Sequence, residues 1–152
     1  MHTTRTKTGT GNRSIRNWLQ AAIVASFAIV ACNDPQGFTP PEDPLDASRE
    51  FVRAVLDGNY EKAQRYILPE QDDEELFARY RKHMNNQPDT DKRQLKESNI
   101  IINNVTPQND SVTIVNFQNS WSNKPADLRV VKRNEQWYID FKYTFSGKEA
   151  TQ

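Results

Sequence analysis

The chain has 152 residues, 20 basic and 20 acidic side chains, 36% hydrophobic residues and one cysteine. That length suits a single domain, the 26% charged and 10% aromatic content excludes wholesale disorder, and one cysteine excludes an internal disulfide and a structural zinc site. The neutral total hides an uneven distribution. Arg5, Lys7, Arg13 and Arg16 precede the first acid, Asp34, and leave 16 basic against 20 acidic residues beyond them. The remainder therefore lacks the bulk basic surface that neutralises phosphates, so no nucleic-acid partner is expected.

From Met1 to Asn17 the chain is polar and cationic, without an acid. Leu19 to Ala31 follows, thirteen residues of which only Gln20 and Ser26 are not apolar. A membrane-crossing helix needs about 20 such residues; thirteen fit the apolar core of a secretory signal. The stretch ends in Ile29-Val30-Ala31-Cys32, which resembles the lipobox of bacterial lipoproteins. The resemblance implies that Cys32 takes a diacylglycerol and becomes the mature N-terminus after cleavage. Two acyl chains supply the two signals that stable membrane anchoring requires. Asn33 follows the cysteine where bacterial sorting reads an aspartate for inner-membrane retention, which points to the outer membrane, although Asp34 is next in line.

Residues 33–44 contain Pro35, Pro40, Pro41 and Pro44. Proline fixes φ and removes a donor, so this tether is expected to be extended and solvated. At about 3.1 Å per residue it reaches some 35 Å. A first helix begins near Leu45, capped by Asp46 or Ser48, with Ala47, Phe51, Val52, Val55 and Leu56 at helical spacing. Asp57-Gly58-Asn59 stops it. Tyr60, Ala63, Ile67 and Leu68 mark a second helix ending at Pro69. A third opens on the acid run Asp72 to Glu75, favourable beside free helical amides, buries Leu76, Phe77, Tyr80 and Met84, and breaks at Asn85 to Asp89.

Alternation then replaces the helical period. Ile100 to Val105, Val112 to Phe117 and Leu128 to Val131 read as strands, split by Thr106 to Asp110 and by Asn123-Lys124-Pro125. In the last strand Trp137, Ile139, Phe141, Tyr143 and Phe145 share one face, with Tyr138, Asp140, Lys142 and Thr144 on the other. Asn134-Glu135 makes a tight turn into it. Short links imply antiparallel neighbours, so three helices followed by a four-stranded meander give an α+β domain over 45–147. The divisions are thus 1–31 signal peptide, 32–44 lipidated cysteine and tether, 45–147 domain and 148–152 tail.

The opening DPLDASREFVRAVLDGNYEKAQRYI (43–67) and the ending VVKRNEQWYIDF (130–141) resemble the nuclear-transport-factor-2-like superfamily. With the lipobox, the chain is most similar to small bacterial lipoproteins carrying such a domain of unknown function. The resemblance implies a curved four-stranded antiparallel sheet wrapped around helices as a cone, whose open end can hold a small ligand and whose outer sheet face often pairs in a homodimer. The fold hosts enzymes, binding modules and assembly domains alike.

The chemistry-bearing residues are few. His83 lies on the third helix beside Arg81 and Lys82, and His2 falls in the signal segment. Enzymes of the superfamily resembling ketosteroid isomerases use a carboxylate in an apolar pocket with a tyrosine or acid as donor. Asp140 with Tyr138 is the nearest match, on a face shared with Lys142 and Thr144, while the core-facing row contains no acid. Asp72 to Glu75 lacks the alternating oxygens and glycine of a calcium loop, and Thr8-Gly9-Thr10-Gly11 has no strand before it, so no metal or cofactor is expected. Tyr80, Trp121 and Tyr143 combine apolar bodies with polar tips and are the candidates for binding a small apolar ligand. Three readings stay open: a non-catalytic module for a small ligand or a partner protein, a small isomerase or dehydratase using Asp140, Tyr138 or His83, and a spacer domain without ligand.

Overall fold

The structure, a computed structural model, describes residues 38–145. The expected signal peptide, Cys32 and the first part of the tether lie outside the described residues, as does the tail 148–152. Phe38 opens the described chain. Its ring sits edge-on to Tyr66 at 5.3 Å, with the Arg65 guanidinium 5.5 Å above it. Within the expected tether Thr39 and Pro40 are exposed, Phe38 packs its ring against a partner, and Pro44 already belongs to the first helix.

Helix α1 spans Pro44–Leu56. Its cap is Asp43 rather than the expected Asp46 or Ser48: the Asp43 carboxylate accepts the Asp46 amide at 2.8 Å. Pro44 takes the first helical position, where the missing N–H costs nothing. Ser48 instead lies inside the helix, its hydroxyl donating to the Pro44 carbonyl. Asp43→Ala is expected to lower unfolding free energy by about 1 kcal/mol, read from the denaturant midpoint; an unchanged midpoint would show that Pro44 alone starts the helix. At the other end Asn59 N–H reaches the Ala54 carbonyl and Gly58 N–H that of Val55. This closure turns on Gly58 at φ +73°, a conformation glycine adopts without strain.

Asn59 then caps α2 (Tyr60–Gln64) through the Lys62 amide at 3.0 Å. The second helix is shorter than its apolar spacing predicts, because Ile67 leaves it to bridge Ile139. Helix α3 covers Gln71–Asn85 and α4 Asp89–Glu97. The fourth helix corrects the expectation of three. It buries none of its residues, so no apolar face announces it.

Strands β1 (Ile100–Asn109), β2 (Val112–Asn119), β3 (Ala126–Arg133) and β4 (Gln136–Asp140) form one antiparallel sheet in sequence order. Val115 pairs with Leu128 and Val130 with Ile139, all fully buried, and these face α1. The opposite face carries Ile114, Asn116, Arg129 and Asp140. β1 runs four residues past its expected end, through Thr106 and Pro107, with irregularities at Ile102/Asn104 and Pro107/Asn109. Asn134 and Glu135, with φ of 48° and 63°, form the two-residue hairpin between β3 and β4. Beyond β4, Leu68 N–H donates to the Ile139 carbonyl and Ile139 N–H to that of Tyr66, at 2.9 and 2.7 Å.

The last strand does not continue to Phe145. It stops at Asp140, and Phe141–Phe145 form a short helix, α5. The observed architecture is therefore α+β, with four helices before a four-stranded antiparallel meander and one after it. Phe51, Phe77 and Phe141 meet at its centre with centroid separations of 5.1–6.1 Å, and Tyr60, Tyr80 and Phe145 extend the cluster.

Candidate functional site

Two acids organise the start of α5. Asp140 accepts the Tyr143 amide at 3.0 Å and pairs with Arg129 at 3.0 Å. Asp73, only 2% exposed, accepts the Lys142 amide at 2.9 Å and also the Phe141 amide. Burial raises the Asp73 carboxyl above its ordinary range; the two amides work against that rise and the neighbouring Asp140 adds to it. Outside, Lys142 pairs with Asp72, which brings the Asp72 carboxyl down and raises the ammonium. The acid run thus divides by helical phase, with Asp73 turned into the protein and Asp72 outward.

The residues singled out by the sequence occupy separate places. Tyr80 packs against Phe77, Phe141 and Phe145, and burial pushes its hydroxyl up to about 12. Tyr143 is 40% exposed on α5 beneath the Arg129 guanidinium at 5.7 Å. Trp121, 43% exposed, lies in the turn between β2 and β3, where its amide donates to Asn119. These three stand on three different elements. Tyr138 donates to Gln136 on its own strand. His83 is exposed on α3, its Nε2 2.9 Å from the Gln87 amide nitrogen. Among the described residues no group of three or more His, Cys, Asp or Glu side chains could hold a metal ion, and no helix is long and apolar enough to cross a membrane.

A recess lies elsewhere, where α1 ends, α2 begins, α3 ends and α4 passes. It encloses about 290 Å³, and its lining comes wholly from helices and their turns, without a sheet residue. Buried Leu56 and Tyr60 with half-buried Val55 and Leu95 make its apolar lining; half-buried Lys92 and exposed Arg93 and Lys96 supply its cations. The brace is Arg53, whose guanidinium donates to the carbonyls of Ser98 and Lys96 at 3.0 and 2.9 Å and pairs with Asp57 at 2.9 Å. A wider recess of about 580 Å³ adjoins it around Asn59, Glu61 and Arg81.

The profile of a domain of unknown function, DUF4878, matches residues 37–140, more than half of the chain. The chain belongs to the DUF4878 family. No curated protein and no solved structure was found to match it. The DUF4878 match takes in Phe38, all four helices before the sheet, and the sheet to its last residue, Asp140. Every residue lining the recess lies within the DUF4878 region, as do Asp73, Tyr80 and Trp121; α5 with Tyr143 follows it. Sequence reasoning missed this recess because its walls come from four elements, each an ordinary amphipathic or polar helix alone. The signal present was Lys92, Arg93 and Lys96, spaced to share one face of α4.

Proposed function

We propose that this DUF4878 protein is a lipid-anchored component of a bacterial outer membrane and that its folded domain is a non-catalytic binding module of the nuclear-transport-factor-2-like type. The helices-then-meander order and the placement of α1 across the inner sheet face support that fold assignment. The observation carrying the binding reading is the division of labour among polar groups. Asp73, Asp140 and Tyr138 are engaged in structural bonds, whereas the helix-lined recess combines an apolar lining with three cations.

The anchor rests on Ile29-Val30-Ala31-Cys32 at the end of a thirteen-residue apolar segment. Cys32→Ser is expected to abolish the acyl mass and move the protein from the detergent to the aqueous phase on Triton X-114 partition. Identical mass and partitioning of the variant and the parent would sink the anchor.

A further inference from the structure

We infer that the recess between α1 and α4 binds a small organic anion, a carboxylate or phosphate on a short apolar body. This names the ligand class of the binding module proposed above and rests on that reading.

Three features of the recess define its chemistry. Its volume of about 290 Å³ equals roughly ten waters at ~30 Å³ each, at the small end of ligand-sized clefts. Buried Leu56 and Tyr60 and half-buried Val55 and Leu95 supply its apolar lining. Water against such a surface is displaced favourably by an apolar group. The size therefore suits a body of a few carbons and leaves a long acyl chain outside.

Charge supplies the second half of the recognition. Lys92, Arg93 and Lys96 meet one acid, Asp57, and that carboxylate is held by Arg53 at 2.9 Å. Lys92 pairs with Asp89 and donates to the Asn85 carbonyl at 3.3 Å. Arg93 and Lys96 make no salt bridge among the described residues, and Arg93 meets Asp89 only through a longer-range Coulombic attraction, so both cations remain available beside the apolar wall. An anionic head on an apolar body satisfies both surfaces at once. Arg93 offers a planar fork suited to carboxylate or phosphate, and Lys96 a point charge.

The third feature is why the cleft stays open. α4 buries no residue, and the polar bonds holding it to α1 come from Arg53 at its C-terminal end. Ser98 closes that end by donating to the Leu95 carbonyl at 2.6 Å. The helix is held by its carbonyls, so its side chains are left to line the recess. Leu95, the one aliphatic side chain of α4, lies in that lining.

The test is a two-dimensional amide NMR titration of the full chain in zwitterionic micelles with four probes: hexanoate, hexyl phosphate, hexanol and hexylammonium. The two anions are expected to shift the amides of Gly58, Tyr60 and Leu95 saturably, with a dissociation constant of roughly 0.1–1 mM for ligands of this size. Hexanol and hexylammonium should bind at least ~10-fold more weakly. Arg93→Gln with Lys96→Gln should weaken the anions by about the same factor, while Arg133→Gln, exposed at the β3–β4 hairpin and absent from the lining of the recess, should not. Saturation by hexyl phosphate alone, or by hexanoate alone, supports the site and selects its head group. Hexanol binding there as tightly as hexanoate, unaffected by the double variant, overturns the anion assignment and leaves the binding module standing. No saturable shift of these amides by any probe overturns both.

Discussion

Phe77→Ala is expected to lower the unfolding free energy by about 3–5 kcal/mol, the usual range for removing a fully buried aromatic side chain. Phe77 is completely buried and touches the rings of Phe51, Tyr60, Tyr80 and Phe141 at centroid distances of 5.1–6.5 Å. It joins α1, α2 and α5 to α3, so the vacated space cannot close by moving one neighbour. Against a typical total of about 5–15 kcal/mol, the loss should appear as a fall of well over ~10 °C in the thermal midpoint. Tyr80 supplies an independent readout. Its hydroxyl, pushed up to about 12 by burial, should move back toward 10 in the variant, as measured by ultraviolet titration. A loss below about 1 kcal/mol with Tyr80 unmoved would show that these rings do not form a continuous core.

The second large effect concerns Asp73, with opposite outcomes for two substitutions. Asp73→Ala strands the Lys142 and Phe141 amides at the start of α5, at about 1–3 kcal/mol for each buried donor left unmade. Hydrogen exchange of both amides should accelerate. Asp73→Asn keeps an oxygen for them and cannot ionise. Burial holds the Asp73 carboxyl above 3.8 in the fold, so the neutral acid is the form the fold prefers. That contribution is complete below the unfolded pKa and is lost as pH rises through the higher folded value. The asparagine variant should therefore gain stability relative to the parent between about pH 4 and pH 7. Parallel denaturation curves at the two pH values check this. A relative loss on going up in pH would mean that the amides favour the carboxylate more than burial disfavours it.

The parts of the fold legible in the sequence are those where burial imposes a period. Phe51, Val52 and Leu56 on α1 and Ile139 in the last strand are core residues on the expected faces, and Val115, Leu128 and Val130 are core residues within the expected strands. Positive φ at Gly58, Asn134 and Glu135 falls where the turns were expected. α4 escaped because none of its residues is buried and only Leu95 breaks its polar sequence. α5 escaped for the opposite reason. The alternation of Trp137, Ile139 and Phe141 runs on into Tyr143 and Phe145, yet Asp140 and Asp73 both take amides of the following turn and wind it into a helix. Asp73 is 68 positions before Phe141, so no local pattern could announce that contact. Pro107 misled in a third way. It reads as a strand breaker but sits in β1, at the margin of the sheet, where a missing donor is tolerated. Among the proposed ligand contacts, Tyr80 lies in the core cluster, whereas Trp121 and Tyr143 are surface residues of other elements. Side-chain type identified them, and only the tertiary arrangement separates them.

The two borders of the sheet bear on how such a protein tolerates crowding. A bare strand border is a template onto which another chain can add, and addition repeated from copy to copy gives fibres. Here β4 is bordered by Tyr66–Leu68, which take the Ile139 backbone bonds. β1, the long outer strand, is interrupted by two register shifts and Pro107, so it offers no straight run of donors and acceptors. The lipid tether proposed above would concentrate many copies in two dimensions, a condition that favours the zipping of regular borders. The interrupted border of β1 would then let neighbouring copies collide and part.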